Sequence, residues 1–178
     1  PEAPIPVLSI SRQDLMLGGA GNVVSNLAGL GIGVDLIAVT GADEARQSLD
    51  TLLEDIYNLH CSLVKDESRP TSIKSRFLAG HQQLLRADHE SVSDVSADVE
   101  AQIISHIDAH INHVHAVILS DYGKGCLTQN IIEHCIKAAK TKNIPVLVDP
   151  KGQDYSRYKG ASVVTPNKKE LCEATHHM

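Results

Sequence analysis

The sequence predicts an α/β fold: a parallel sheet flanked by helices and carrying a small β lid. Two observations lead there. Short apolar runs bounded by glycine, proline or polar turns, at residues 34–40, 116–119, 146–148 and 162–164, alternate with longer stretches whose apolar residues recur every three or four positions. That alternation defines strand–helix–strand units, in which a helix carries the chain back across the sheet so that successive strands run parallel. The stretch 71–90 behaves differently: Ile73, Ser75 and Phe77 alternate with Lys74 and Arg76, Gly80-His81 interrupts, and a second extended run follows. It predicts a hairpin standing apart from the helices.

Taken in order, residues 5–10 (IPVLSI) have strand residues, but Pro4 and Pro6 confine them to an edge. After Gly18-Gly19-Ala20-Gly21, the spacing of Val23, Leu27 and Leu30 predicts a helix over 21–30, which Gly31 and Gly33 would stop. Residues 34–40 (VDLIAVT) predict a buried strand, and Leu49, Leu52, Leu53 and Ile56 predict a helix over 45–59. Beyond the hairpin, the pattern predicts a polar amphipathic helix over 98–113, a strand at 116–119 and a helix over 128–142. Strands at 146–148 and 162–164 and a helix from Asn167 complete the chain.

At 178 residues, 42% hydrophobic and 21% charged, the chain matches one domain with a sizeable core, which excludes a disordered chain. Lys+Arg 16 against Asp+Glu 22 leaves a net charge of −6, without the basic excess that nucleic-acid backbones demand. No apolar run reaches the ~18 residues of a membrane span, and the first residues carry no signal-peptide pattern, so a cytoplasmic protein with no membrane partner is expected. Cys61, Cys126, Cys135 and Cys172 form no C-x-x-C pair and are expected as small core residues in a reducing compartment.

Three of the predicted strands run directly into polar clusters: Ser120-Asp121-Tyr122-Gly123-Lys124-Gly125, Asp149-Pro150-Lys151-Gly152 and Thr165-Pro166-Asn167-Lys168-Lys169-Glu170. Open parallel sheets bind ligands beyond the carboxyl ends of their strands. Carboxylates, lysines and glycines at that place suit a phosphorylated ligand with a metal: Asp for Mg²⁺, Lys for phosphate, Gly for close backbone approach. Each cluster alone also reads as a turn, and Asn167 with Glu170 three residues on reads as a helix capping box. Gly18, Gly19 and Asn22 open a helix, whose free N–H groups attract oxygen-rich ligands. Gly29-Leu30-Gly31-Ile32-Gly33 ends a helix rather than opening one, which rejects a dinucleotide fingerprint, and no Walker A sequence occurs. Lys74 and Arg76 share one strand face, with Arg86 on the other arm, as an anion site or a solubilised edge. His106, His110 and His113 fall at i, i+4 and i+7 on one helical face with His115 beyond, a geometry able to bind Zn²⁺; with no matching carboxylate a solvated face is favoured, and no metal ligand is assigned.

The run GGAGNVVSNLAGLG resembles the first signature of the ribokinase-like (phosphofructokinase-B) sugar kinases, and TPNKKE resembles their N-x-x-E motif. With PEAPIPVLSI, IKSRFLAGHQQLLRADHE, LSDYGKG and VLVDPKG, the resemblance narrows to bacterial heptose-7-phosphate kinases, often fused to an ADP-heptose adenylyltransferase, and covers essentially the whole chain. It implies ATP- and Mg²⁺-dependent phosphorylation of the anomeric hydroxyl of heptose 7-phosphate, toward ADP-heptose and the lipopolysaccharide core. By position, Gly18, Gly19 and Asn22 would bind sugar hydroxyls, with Asp121 near the sugar. Lys74, Arg86 and Lys124 would meet the existing phosphate. Asn167, Lys168, Lys169 and Glu170 would contact ATP and Mg²⁺, beside Asp149 and Lys151. Residues 1–16 and 71–90 resemble the family's lid, which commonly forms a homodimer contact.

The family also carries a first strand with a G-D-x-x-x-D motif and a Gly-Ala-Gly-Asp loop bearing the catalytic base; neither occurs in these 178 residues. The expectation is therefore a partial kinase domain over 1–178, truncated at both ends, inactive alone and with an apolar sheet edge exposed. Related kinases of another sugar, or a non-catalytic sugar-phosphate-binding or lid-dimerising module, are the alternatives. Met16-Leu17 stands where Arg-Pro usually precedes the double glycine, and Gly21 where Ala is usual.

Overall fold

The computed structural model describes residues 7–175. Seven strands and five α-helices follow one another as α1 (Ala20–Gly29), β1 (Val34–Thr40), α2 (Glu44–Glu54), β2 (Leu59–Lys65), β3 (Ile73–Ala79), β4 (Gln82–His89), α3 (Ala97–His110), β5 (Val117–Ser120), α4 (Gln129–Thr141), β6 (Val146–Asp149), β7 (Val163–Val164) and α5 (Lys168–Thr175). β1 and β2 pair in parallel across α2, and β5, β6 and β7 form a second parallel ladder. β3 and β4 are an antiparallel hairpin with a bulge between Phe77 and Leu78. The expected α/β fold with parallel strands and a β hairpin is what the chain forms.

Helix starts follow local chemistry. Asp43, Ser96 and Thr128 each accept a backbone N–H from the first turn of the helix they precede, satisfying a donor that has no partner within the helix. Two helix ends turn into strands through an asparagine at φ 57°: Asn58 before β2 and Asn143 before β6. The core lies between α3, α4 and the second ladder: Val99, Ile103 and Ile107 of α3 meet Ile131, Ile132, Cys135, Ile136 and Ala139 of α4 over Leu119, Val146 and Val148. α3 also packs on β1 and β2, joining the two ladders through one helix.

Four expectations need correction. The helix over 45–59 ends at Glu54 with Asp55 as its C-cap, a turn over 55–58 closes on Asn58 at φ 57°, and residues 59–65 are a strand; the apolar spacing of Ile56 still looked helical. Residues 7–10 form no strand: Val7 and Ile10 are exposed and no neighbouring edge accepts them, while residues 5 and 6 lie outside the described residues. Leu30 is exposed beyond the end of α1, where Val24 supplies the buried contact instead. Of the cysteines, Cys135 is buried and Cys126 and Cys172 half-buried, but Cys61 is exposed on the short β2 ladder.

Candidate active site at the strand ends

The polar clusters come together because the ladder holds their strands in register. Ser120 pairs with Asp149 and Val148 with Val164, so β5, β6 and β7 release their loops side by side. Two backbone bonds continue the ladder into the loops, from the Asp121 N–H to the Asp149 carbonyl (3.0 Å) and from the Thr165 N–H to the Val148 carbonyl (2.9 Å).

The α1 glycines reach the β5 loop: the ring of Tyr122 lies 3.6 Å from where a side chain on Gly19 would begin. No side chain caps the start of α1; the Gly21 N–H donates to the Gly18 carbonyl (3.0 Å) and the Asn22 N–H to the Gly19 carbonyl (3.1 Å), which leaves the exposed Asn22 side chain as the polar group offered at this end. A Cβ on Gly21 would stand 3.1 Å from the Leu17 side chain. The two departures from the family signature are therefore spatial neighbours, Leu17 occupying room that the smaller residue 21 leaves open. Asp121 is buried, its Oδ1 accepting from the Gly123 N–H (2.8 Å) and its Oδ2 from the Tyr158 hydroxyl (2.7 Å). Both oxygens thus brace the β5 loop. Burial pushes the Tyr158 phenol up to about 12, so it stays a neutral donor.

Lys151 follows β6, its stem 3.2 Å from a Cβ position at Gly123 and its Nζ 3.3 Å from Glu170 Oε1. Glu170 also accepts from the Asn167 N–H (3.0 Å), and Asn167 Oδ1 accepts from the Glu170 N–H (2.9 Å), a complete capping box at the start of α5. Lys168 and Lys169 are exposed on that first turn. Asp149 has its carboxyl raised by burial first and then by the Glu170 charge, with Asp121 adding to it and Lys151 opposing. Carboxylates supply the oxygen ligands that hard divalent cations take, and the lysine beside them a point charge for phosphate. An open depression of about 470 Å³ beside Lys151 is also lined by Gly152, Arg157 and Thr128.

The hairpin has two faces. Lys74 lies opposite Asp88 and Arg76 opposite Arg86, while Phe77 lies opposite Leu85 on the other face. Lys74 meets Asp88 (3.1 Å) and Glu90 (2.8 Å), Arg86 meets Asp88 (3.0 Å), and Lys124 of the β5 loop reaches the other oxygen of Glu90 (2.5 Å). The three basic residues singled out from the sequence are thereby assembled, with Glu90 holding two ammonium groups together. Lys124 and Lys74 keep the Glu90 carboxyl below its usual range, and Glu90 in turn raises Lys74.

Three residues that sequence reasoning missed fix this arrangement. Arg69 and Asp66 form a buried ion pair (2.9 Å), and Arg69 donates to the carbonyls of Lys124 (3.0 Å) and Ser93 (2.7 Å). Thr71, buried at the base of the hairpin, accepts from the Gly41 N–H (2.9 Å) and donates its own N–H to Asp43 (2.8 Å). The ends of β1 and β2 are thus tied to the β5 loop, with the hairpin rooted between them. The one local signal was the Asp-x-Ser spacing of an Asx turn, in which Asp66 Oδ1 accepts from the Ser68 N–H two residues on.

Glycines and an asparagine at a helix start, a lysine-bearing loop and a capped N-x-x-E turn are thus gathered at the ends of parallel strands. The model of the pfkB family carbohydrate kinases matches residues 6–178, and the chain belongs to that family. It is 46% identical over 176 residues to the bifunctional protein HldE of Aliarcobacter butzleri, covering 99% of this chain and 37% of the relative. It is 48% identical over 175 residues to HldE of Paramagnetospirillum magneticum, covering 98% and 36%. The chain therefore spans little more than a third of these relatives. Phosphofructokinase-2 from Escherichia coli, solved in complex with fructose-6-phosphate, shares the fold with a TM-score of 0.72 at 20% identity, over 99% of this chain and 58% of that one.

Proposed function

We propose that this chain is part of a kinase domain that transfers a phosphoryl group from ATP to the anomeric hydroxyl of D-glycero-D-manno-heptose 7-phosphate, giving the 1,7-bisphosphate for ADP-heptose and lipopolysaccharide core synthesis. The observation that carries the reading is the convergence of Lys74, Arg86 and Lys124 on Asp88 and Glu90. Counted with Arg76, four cations surround two carboxylates, a local charge of +2 on a chain whose net charge is −6. Such a patch suits a phosphate already present on the sugar. The high identity to bifunctional HldE proteins and the motif resemblance both favour the heptose, and a fused adenylyltransferase belongs to the same reading.

In this proposal Gly18, Gly19 and Asn22 bind sugar hydroxyls, and Asp121 shapes the wall beside them. Asn167, Lys168, Lys169 and Glu170, with Asp149 and Lys151, hold ATP and Mg²⁺, the metal supplying charge neutralisation for the transferred phosphoryl group. The hairpin and residues 1–16 act as the lid, of which residues 7–16 are described and form no strand. Closure over the sugar would exclude water. The exposed Leu78, Leu84 and Leu85 on the hairpin support a homodimer formed through it. No Gly-Ala-Gly-Asp sequence occurs in the 178 residues, so the polypeptide limited to them is expected to bind ligands without turning over.

Calorimetric titration of heptose 7-phosphate into the full chain tests the reading, with Lys74→Ala and Arg86→Ala alongside. Micromolar binding that either substitution weakens by about tenfold or more supports it, since one charge-assisted bond contributes ~1.5–3 kcal/mol. Absence of binding, or binding indifferent to both, overturns the heptose assignment and moves the search to other sugar phosphates. Robust ATP turnover by the 178-residue polypeptide would overturn the argument from the missing base.

A further inference from the structure

The face of α3 that the sequence presented as a solvated histidine stripe meets a carboxylate after all. Asp35 and His60 are directly paired across the parallel β1–β2 ladder, so their side chains leave the same face of the sheet side by side. His110, the last residue of α3, comes down onto that face: its Nδ1 lies 3.1 Å from Asp35 Oδ2, and its ring centroid is 4.8 Å from that of His60. One ligand atom from each of the three residues lies within 4.8 Å of the other two. His106 and His113 do not belong to this group, and neither does Cys61, whose position in β2 turns its side chain to the opposite face, toward Arg46 and Asp50 of α2.

We propose that Asp35, His60 and His110 form a binding site for a divalent transition-metal ion of the Zn²⁺ type, with water completing the coordination. Two imidazoles and one carboxylate are the donor set such ions take in three-residue protein sites. Tetrahedral bonds of ~2.0–2.2 Å place ligand atoms about 3.3 Å apart. The His110–Asp35 edge, at 3.1 Å, is within a few tenths of an ångström of that length, and His60, which is exposed, must close in. The C-terminal end of α3 adds the negative pole of the helix dipole beside the cation.

The site stands apart from the proposed kinase centre. Asp35 is near the start of β1, while the strand's far end at Thr40 and Gly41 leads toward the hairpin base; five residues of strand separate the two by ~17 Å. A metal here would clip β1, β2 and α3 together, at the place where one helix joins the two ladders. Its role is stability of the fold rather than phosphoryl transfer, and it stands whatever the sugar proves to be.

The test is titration of Co²⁺ and Zn²⁺ into the full chain, read by calorimetry, by the visible absorption of bound Co²⁺ and by the thermal midpoint. Every protein compared carries His176→Ala and His177→Ala, because that adjacent pair in the sequence can bind the same ions. The expected result is one equivalent of Zn²⁺ that displaces Co²⁺ and raises the midpoint. His60→Ala should lower its affinity about 100-fold or more, beyond the 10–100-fold typical of losing an outer-shell partner. Asp35→Asn, which keeps a hydrogen-bonding group beside His110 but removes the anionic ligand, should weaken binding while leaving the metal-free midpoint near that of the parent. Zn²⁺ binding unchanged in both variants, or absent from the parent, overturns the proposal.

Discussion

Gly125 and Gly80 adopt similar left-handed backbones, φ 72° and 61°, but in opposite surroundings, so an alanine at each separates backbone strain from packing. At Gly80, in the tip of the hairpin, a Cβ meets nothing within 4 Å. Gly80→Ala should cost only the left-handed penalty of ~1–2 kcal/mol. At Gly125 the same atom would stand 1.9 Å from the Ser93 carbonyl oxygen and 2.7 Å from Asp94 Cα, both backbone atoms. Reaching even a tight contact of 3.0 Å requires a retreat of about 1.1 Å (3.0 − 1.9) by one of the two segments. That movement breaks the bond from the Val95 N–H to the Gly125 carbonyl and strains those from Arg69 to Ser93 and Lys124. A neutral bond contributes ~1 kcal/mol and one to a charged group ~1.5–3 kcal/mol, so with the backbone strain Gly125→Ala should cost about 4 kcal/mol. Urea unfolding of the two variants should therefore give clearly different losses of stability. Gly125→Ala should also weaken sugar-phosphate binding, because Lys124 precedes it and would leave Glu90. Equal destabilisation by the two alanines would refute the reasoning, since it would mean that the 93–95 segment yields without cost.

Glu170→Gln keeps the capping geometry of α5 but removes the partner of Lys151 and one charge facing Asp149; magnesium-dependent ATP affinity should fall about tenfold with no loss of helix, and an unchanged titration would remove Glu170 from the nucleotide site. The Ser68 hydroxyl and then Arg69 hold the Asp66 carboxyl below its ordinary value, and Thr71 does the same for Asp43. Because both folded values are depressed, the unfolded chain takes up protons first: their stabilisation is complete above the ordinary carboxylate value of ~3.9 and is lost as pH falls through the folded values. Asp66→Asn should lower the thermal midpoint at pH 7 and flatten its fall between pH 5 and 3, whereas a parallel downward shift at every pH would show that Asp66 does not titrate in this way.

The sequence reading succeeded where periodicity and termination agreed. Residues 34–40 are an apolar run between glycines and form β1 over that same span; the period-two hairpin is β3 and β4. It failed at β2, where LHCSLVK sets His60, Cys61 and Ser62 ahead of half-buried Leu63 and buried Val64 and no glycine or proline marks the preceding helix end. The helix stops at Asp55 and the turn into β2 closes on Asn58, whose ability to take a left-handed conformation is not visible in a hydrophobic pattern. Missing β2 hid the Asp35–His60 pairing, which is why the α3 histidines lacked a carboxylate on paper. Asp66, Arg69 and Thr71 were equally hidden, because Arg69 finds its carbonyls 24 and 55 residues away and nothing local forecasts that.

The capping-box and ligand-site readings of Asn167-Lys168-Lys169-Glu170 do not exclude each other. Glu170 Oε2 accepts from the Asn167 N–H, which fixes the carboxylate so that Oε1 is presented to Lys151. The cap thus aims the charge that raises Asp149. Glu90 works the same way: a carboxylate that would stabilise the hairpin through Lys74 alone also receives Lys124, and so places two cations where a phosphate can meet both. An alanine at such a position removes a structural bond and a binding group together, and a loss of affinity by itself cannot assign the residue to either role. Glu90→Gln separates them. It keeps one acceptor oxygen, for Lys74 or for Lys124, while cancelling the negative charge between them, so a phosphate-binding cluster should hold the sugar phosphate at least as tightly as before. A cluster whose only purpose is to anchor the hairpin should merely lose stability.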